Sequence, residues 1–122
     1  MNNKEFSIQL EHRTKKFAIS IVKLSSSLPN NSEGFVFRNQ ITKSGTSIGA
    51  NYHEANRSRS KADFYHKIKI SESEASETIY WLEIIKELNW VENSILDAIS
   101  KEANELLAIF TSVANKIKNN NL

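Results

Sequence analysis

The stretch Gln40-Ile-Thr-Lys-Ser-Gly-Thr-Ser-Ile-Gly-Ala-Asn-Tyr-His-Glu54 has helical periodicity but a composition that an isolated helix would avoid. Gly costs about 1 kcal/mol and Ser or Thr about 0.5 kcal/mol relative to Ala inside a helix. Wound at about 100° per residue, the stretch places Gln40, Ser44, Ser47, Asn51 and Glu54 in one polar row. Phe37, Ile41, Ile48 and Ala55 form an apolar row beside it. Such a helix gains its stability from close neighbours on two sides, and Gly45 and Gly49, four apart, let backbones approach. The polar row is expected to bond across helices or across a subunit contact.

Working outward, the same spacing recurs in both directions. A first helix is predicted over about 4–27, where Phe6, Leu10, Phe17, Ile21, Leu24 and Leu28 recur at intervals of three, four and seven. It stops at Ser25-Ser-Ser-Leu-Pro-Asn-Asn-Ser-Glu-Gly34, a run of turn formers that holds the chain's one Pro. The second helix covers about 35–56. Ser60-Lys-Ala-Asp63 reads as a capping motif that opens a third helix over about 61–88, with Phe64, Ile68, Ser71, Ala75, Thr78, Leu82 and Ile85 on one face. After the turn Asn89-Trp-Val-Glu-Asn93, a fourth helix spans about 94–118, striped by Ile95, Ile99, Ala103, Leu106, Phe110, Val113 and Ile117. The tail Asn119-Asn-Asn-Leu122 is expected to fray. Short loops between long helices make neighbours antiparallel. The fold class is therefore all-α, a single domain over 1–122 forming an up-down-up-down four-helix bundle.

Composition narrows the chemistry. With no Cys there is no disulfide framework and no thiolate, which fits a reducing cytoplasm. No apolar run approaches the roughly 18 residues of a membrane span, and the N-terminus lacks a signal-peptide core, so no membrane partner is expected. His12, His53 and His66 are the only histidines and none follows a Glu by three, as a di-metal bundle requires. Ser47, His53 and Glu54 could suggest a nucleophilic triad, but there is no oxyanion-hole element to complete it. Gly45 and Gly49 lie inside a helix and form no phosphate loop. No catalytic, metal or cofactor residue is assigned.

The net charge of +2 conceals a split. Residues 1–69 carry twelve Lys/Arg against five Asp/Glu, for +7, and residues 70–122 carry four against nine, for −5. The densest basic segment runs through Arg57, Arg59, Lys61, Lys67 and Lys69, with Arg13, Lys15 and Lys16 as further contributors. These are the candidate phosphate contacts for RNA or DNA. No aromatic-rich stacking surface is evident beyond Tyr52 and Tyr65. On the third helix Lys67, Glu74, Glu77 and Trp81 share a side, so the carboxylates can pair with Lys67 or with a basic group from another helix. Adjacent Tyr80 and Trp81 cannot both face one core, so one of them belongs at a surface or an interface.

Thr46-Ser-Ile-Gly-Ala-Asn-Tyr-His-Glu-Ala-Asn56, Ser60-Lys-Ala-Asp-Phe-Tyr-His-Lys-Ile68 and Tyr80-Trp-Leu82 carry a resemblance. Over nearly its whole length the chain resembles the four-helix proteins encoded by intervening sequences in bacterial 23S rRNA genes. That family includes the accessory variability protein of diversity-generating retroelements. The joint pattern of Gln40, Ser44, Ser47, Asn51, Glu54, Ser60, Phe64, Glu74 and Trp81 is what makes it specific. Many relatives have Gly after the second-helix Glu, where this chain has Ala55-Asn56. The resemblance implies an antiparallel bundle, a ring-shaped homopentamer and no catalytic activity. Retroelement members associate with nucleic acid and with a reverse transcriptase. Two functions follow: an oligomeric scaffold that binds RNA or DNA weakly through basic helix surfaces, or a protein–protein module whose basic and acidic surfaces pair between subunits.

Overall fold

In the computed structural model, which describes residues 2–120, four helices run α1 (Asn3–Ser26), α2 (Ser32–Ala55), α3 (Lys61–Glu87) and α4 (Asn93–Asn119). Each packs on the next, α4 returns to α1, and the diagonal pairs stay apart, giving a square bundle. Contacts across each pair fix the directions. Gly45 of α2 lies against Ile21 of α1, and Gly49 against Thr14. Ser71 of α3 donates to the Ile48 carbonyl at 2.9 Å, and the Thr78 and Ser44 hydroxyls bond at 2.9 Å. Thr111 of α4 donates to Glu72 at 2.7 Å, and Lys86 meets Asp97 at 2.9 Å. In every pair one number rises as the other falls, so all neighbours are antiparallel.

The core between them holds Leu10, Phe17, Ile21, Ile41, Ile48, Ile68, Leu82, Ile85, Leu96, Leu106 and Phe110, all buried. α2 is flanked as its composition requires. A methyl at Gly45 would stand 2.8 Å from Ile21 Cγ1 and Cγ2, and one at Gly49 would stand 3.0 Å from the Thr14 side chain. The two glycines thus bring α1 close, while Ser44 and Ile48 carry the bonds to α3.

Several element boundaries and faces depart from expectation. α2 begins at Ser32, three residues before the predicted Phe35, because the Asn31 side chain accepts from the Gly34 amide at 2.8 Å. The turn formers Ser32-Glu-Gly34 are its first turn. The loop before it is held by Arg38, which donates to the Ser25 carbonyl at 2.9 Å, the Leu28 carbonyl at 2.6 Å and Asn30 Oδ1 at 3.1 Å. On α4 the buried stripe is Leu96, Ala103, Leu106, Phe110 and Ala114. Ile95, expected inside, is exposed, since its neighbour Leu96 takes the core position about 100° away. Phe6 of the first stripe is also solvent-facing, at 39% exposure. The expected capping motif holds: the Ser60 hydroxyl accepts from the Asp63 amide at 3.0 Å. α3 ends at Glu87, where Asn89 turns the chain at a φ of 56°. α4 starts one residue early and continues to Asn119, so only Asn121 and Leu122 of the tail expected to fray lie outside the described residues.

Candidate nucleic-acid interface

Antiparallel packing converts the charge split of the sequence into a polarity along the bundle axis. The start of α1, the end of α2, the start of α3 and the end of α4 meet at one end. There, over 2–9, 52–69 and 110–120, eight Lys/Arg stand against three Asp/Glu. Lys116 and Lys118, which sequence reasoning assigned to the acidic half, thereby join Arg57, Arg59 and Lys61. At the opposite end, over 21–38 and 77–97, three Lys/Arg stand against six Asp/Glu. Two residues far apart in sequence share an end only once the helix directions are known.

The candidate cations divide into bound and free groups. Arg13 is turned toward α4, its Nε 2.6 Å and Nη2 2.8 Å from the two Glu102 oxygens, with Glu105 2.6 Å from Nη2. This forked pairing, led by Glu102, raises its pKa further and commits the guanidinium to the bundle, so Arg13 leaves the set of free phosphate contacts. Lys69 lies 2.6 Å from Glu72, and Lys67 lies 3.9 Å from Asp63. Arg57 donates to the His53 carbonyl at 2.7 Å and stands 4.0 Å from Glu11. Arg59, Lys61, Lys15 and Lys16 are exposed and have no carboxylate partner among the described residues. They form two groups. Arg59 and Lys61 line one cleft at the basic end, whereas Lys15 lines a groove midway along α1 and α2 with Ile8, His12 and Ala50.

Two carboxylates are stabilised in their charged form. Burial alone would raise the Glu11 pKa, but hydrogen bonds from Asn56 (2.8 Å) and His53 (3.1 Å), with Arg57 nearby, bring it below its ordinary value of 4.5. Glu72 is lowered by Lys69 first and Thr111 second. A carboxyl group with a depressed pKa stabilises the fold above its unfolded pKa and loses that contribution as pH falls through its folded one. The melting temperature is therefore expected to drop between pH 5 and pH 3. In Glu72→Gln the drop over that window should be shallower, measured by circular-dichroism melts across pH.

The polar row of α2 behaves less uniformly than its spacing suggested. Ser44 alone bonds across to another helix. Ser47 donates to the Lys43 carbonyl at 2.6 Å and Asn51 to the Ser47 carbonyl at 2.9 Å, both within α2. Gln40 is half-buried and Glu54 exposed, and neither makes a side-chain bond among the described residues. On α3, Glu77 accepts from the Trp81 indole at 3.0 Å. Neither Glu77 nor Glu74 forms an ion pair with Lys67, whose partner is Asp63. Trp81 is half-buried with its ring edge-on to Phe37 at 5.5 Å, and Tyr80 is the member of the pair that faces solvent. Among the described residues, no three of His, Cys, Asp or Glu form a group that could hold a metal ion, and no helix is long and apolar enough to cross a membrane.

Comparison with known proteins agrees with this architecture. The family model for the 23S rRNA-intervening sequence protein matches residues 7–112. The chain is similar, at 36% identity and a TM-score of 0.80, to the crystal structure of a protein of unknown function from the S23 ribosomal protein family of Bacteroides thetaiotaomicron VPI-5482. The similarity covers 85% of this chain and 96% of that one. No curated protein matches the sequence.

Proposed function

The chain belongs to the 23S rRNA-intervening sequence protein family, and from that premise we propose that it is a non-enzymatic oligomeric scaffold that binds RNA or DNA through the basic end of its bundle. The observation that carries this reading is the convergence of Arg59, Lys61, Lys116 and Lys118 on one end, none paired to a carboxylate among the described residues. Phosphate contacts of this kind hold a backbone without reading bases. Assembly is supported by an outward stripe on α1, where Ile8, Ile19 and Val22 are 59%, 51% and 45% exposed beside His12 and Lys15. Those residues follow one another at intervals of four, three, four and three, so they share one face of α1 on which a second copy can pack. In a closed ring of five copies, the form the resemblance implies, packed side by side with their bundle axes along the ring axis, all basic ends face the same side. A weak single-chain site then becomes multivalent. A reverse transcriptase is a further protein partner on this reading, and the cytoplasm is its site.

The test is Arg57→Ala/Arg59→Ala/Lys61→Ala measured by fluorescence anisotropy against a short RNA and a short DNA. Affinity is expected to fall at least about tenfold, and the slope of log K against log salt to shrink by about two to three units. Unchanged affinity and slope would remove the nucleic-acid assignment.

One observation favours a second reading. The acidic end, with Glu83, Glu87, Glu92 and Asp97, complements the basic end, so copies can associate head to tail as a protein–protein module with no nucleic-acid role. Subunits that dissociate at high salt yet never bind RNA or DNA would select that reading.

A further inference from the structure

At the basic end the bundle does not close. α1 and α4 approach each other less closely than the other neighbouring pairs, and the α4 wall there includes the small residues Ala108 and Ser112. A cleft of about 720 Å³ results, with Phe6, Tyr52, Phe64, Ile109, Val113 and Ile117 as its apolar lining. Its size is that of small-molecule sites, roughly 300–1,000 Å³. Asn3, Asn56 and Lys116 give it a polar rim. A second cleft of about 380 Å³ shares Phe64 and Ile117 with the first and adds Ser58, Arg59, Ser60 and Lys61. No carboxylate lines either one. The Ser58 hydroxyl is buried there without a hydrogen-bond partner.

We propose that this joined cleft takes an unpaired nucleotide of a single-stranded nucleic acid, its base against the Phe6 and Phe64 rings and its phosphate at Arg59 and Lys61. The inference rests on the nucleic-acid reading above and gives that reading a strand preference. The Tyr52 ring is buried against Phe110 and its hydroxyl is 3.3 Å from Ser7, so it forms the floor. Phe6 and the half-buried Phe64 present the accessible ring surfaces. Stacking on aromatic side chains suits any base, since every base has a π-face, and it adds to the backbone charge contacts. Phe64 and Ile117 line both clefts, so the apolar lining and the two cations adjoin, as a nucleotide with its own phosphate requires. A base inside a duplex is unavailable unless it is flipped out, so duplex binding would use the cations alone.

The test measures anisotropy of the full chain with a labelled ten-nucleotide adenine-rich RNA and with the same RNA as a duplex. A second single strand carries 2-aminopurine to report stacking. The single strand is expected to bind more tightly and to quench the 2-aminopurine. Phe6→Ala, at an exposed position that leaves the core intact, should weaken single-strand binding about tenfold and leave the duplex unchanged. Phe64→Leu, which keeps apolar bulk, should act in the same direction, whereas Arg59→Gln/Lys61→Gln should weaken both. Equal binding of strand and duplex, indifferent to Phe6→Ala, would overturn the cleft assignment and leave the basic-surface reading standing. Absence of binding to either would overturn both.

Discussion

Replacing Phe110 by Ala is expected to remove about 3–5 kcal/mol of stability. Its ring is fully buried at the α4 side of the core, 5.5 Å from Tyr52 at an interplanar angle of 67°. Truncation loses both the transfer free energy of the ring and the contacts of the cavity wall it leaves behind. The long helices flanking the site cannot collapse to fill that space without disturbing Tyr52 and its neighbours. For a chain of 122 residues this corresponds to a fall in Tm of roughly 10–20 °C. Circular-dichroism melting measures it directly. A loss under about 1 kcal/mol would mean that α4 presents a different face to the core. Ile95→Ala, by contrast, should change the stability of the isolated chain little, because Ile95 is exposed.

Gly34→Ala is expected to destabilise by about 1–3 kcal/mol, even though Ala is the better helix former by about 1 kcal/mol. A Cβ at this position would stand 1.9 Å from the Pro29 carbonyl oxygen and 2.8 Å from its carbon. The obstacle is backbone, so it cannot swing aside as a side chain would. The α1–α2 loop would have to move, and Arg38 holds that loop through the Ser25 and Leu28 carbonyls. At Gly45 the atoms in the way are Cγ1, Cγ2 and Cβ of the fully buried Ile21, at 2.8, 2.8 and 3.1 Å, so α1 must give there too, but by less than the 1.9 Å approach at Gly34 demands. Urea unfolding of both variants is the check, with Gly34→Ala expected to lose more than Gly45→Ala. A gain in stability at position 34 would contradict the close approach of Pro29 to α2.

Much of the fold was legible because the residues that build it act locally. Periodicity along Ile68, Ser71, Ala75, Thr78, Leu82 and Ile85 marks the buried face of α3 without knowledge of its neighbours. The Gly and Ser content of the second helix likewise announced that α1 and α3 come close. Local patterns misled where two adjacent positions were both apolar. Ile95 and Leu96 differ only in which side of α4 they occupy, and that is decided by how α4 packs on the rest of the bundle. Ser32-Glu-Gly34 read as loop because its composition is that of a turn, which masked the local Asn31 cap, a bond between residues only three apart.

The candidate site was less legible. The basic segment from Arg57 to Lys69 stood out in the sequence, and the Lys69–Glu72 pair within α3 is a local one, but the pairing of Arg13 with Glu102 and Glu105 depends on register between α1 and α4. Likewise Lys116 and Lys118 lie about fifty residues beyond that segment and reach the same end only because α4 runs back along α3. Phe6 and Phe64 each looked like an ordinary core position. The gap between α1 and α4 that turns them into a cleft has no signature in either helix alone.

The central claim, an oligomer that engages nucleic acid, is tested most directly by light scattering of the purified protein with and without a twenty-nucleotide RNA at moderate salt. The account predicts a particle of several 13.9-kDa chains whose mass rises by that of bound RNA. A mass of one chain that RNA leaves unchanged would contradict it.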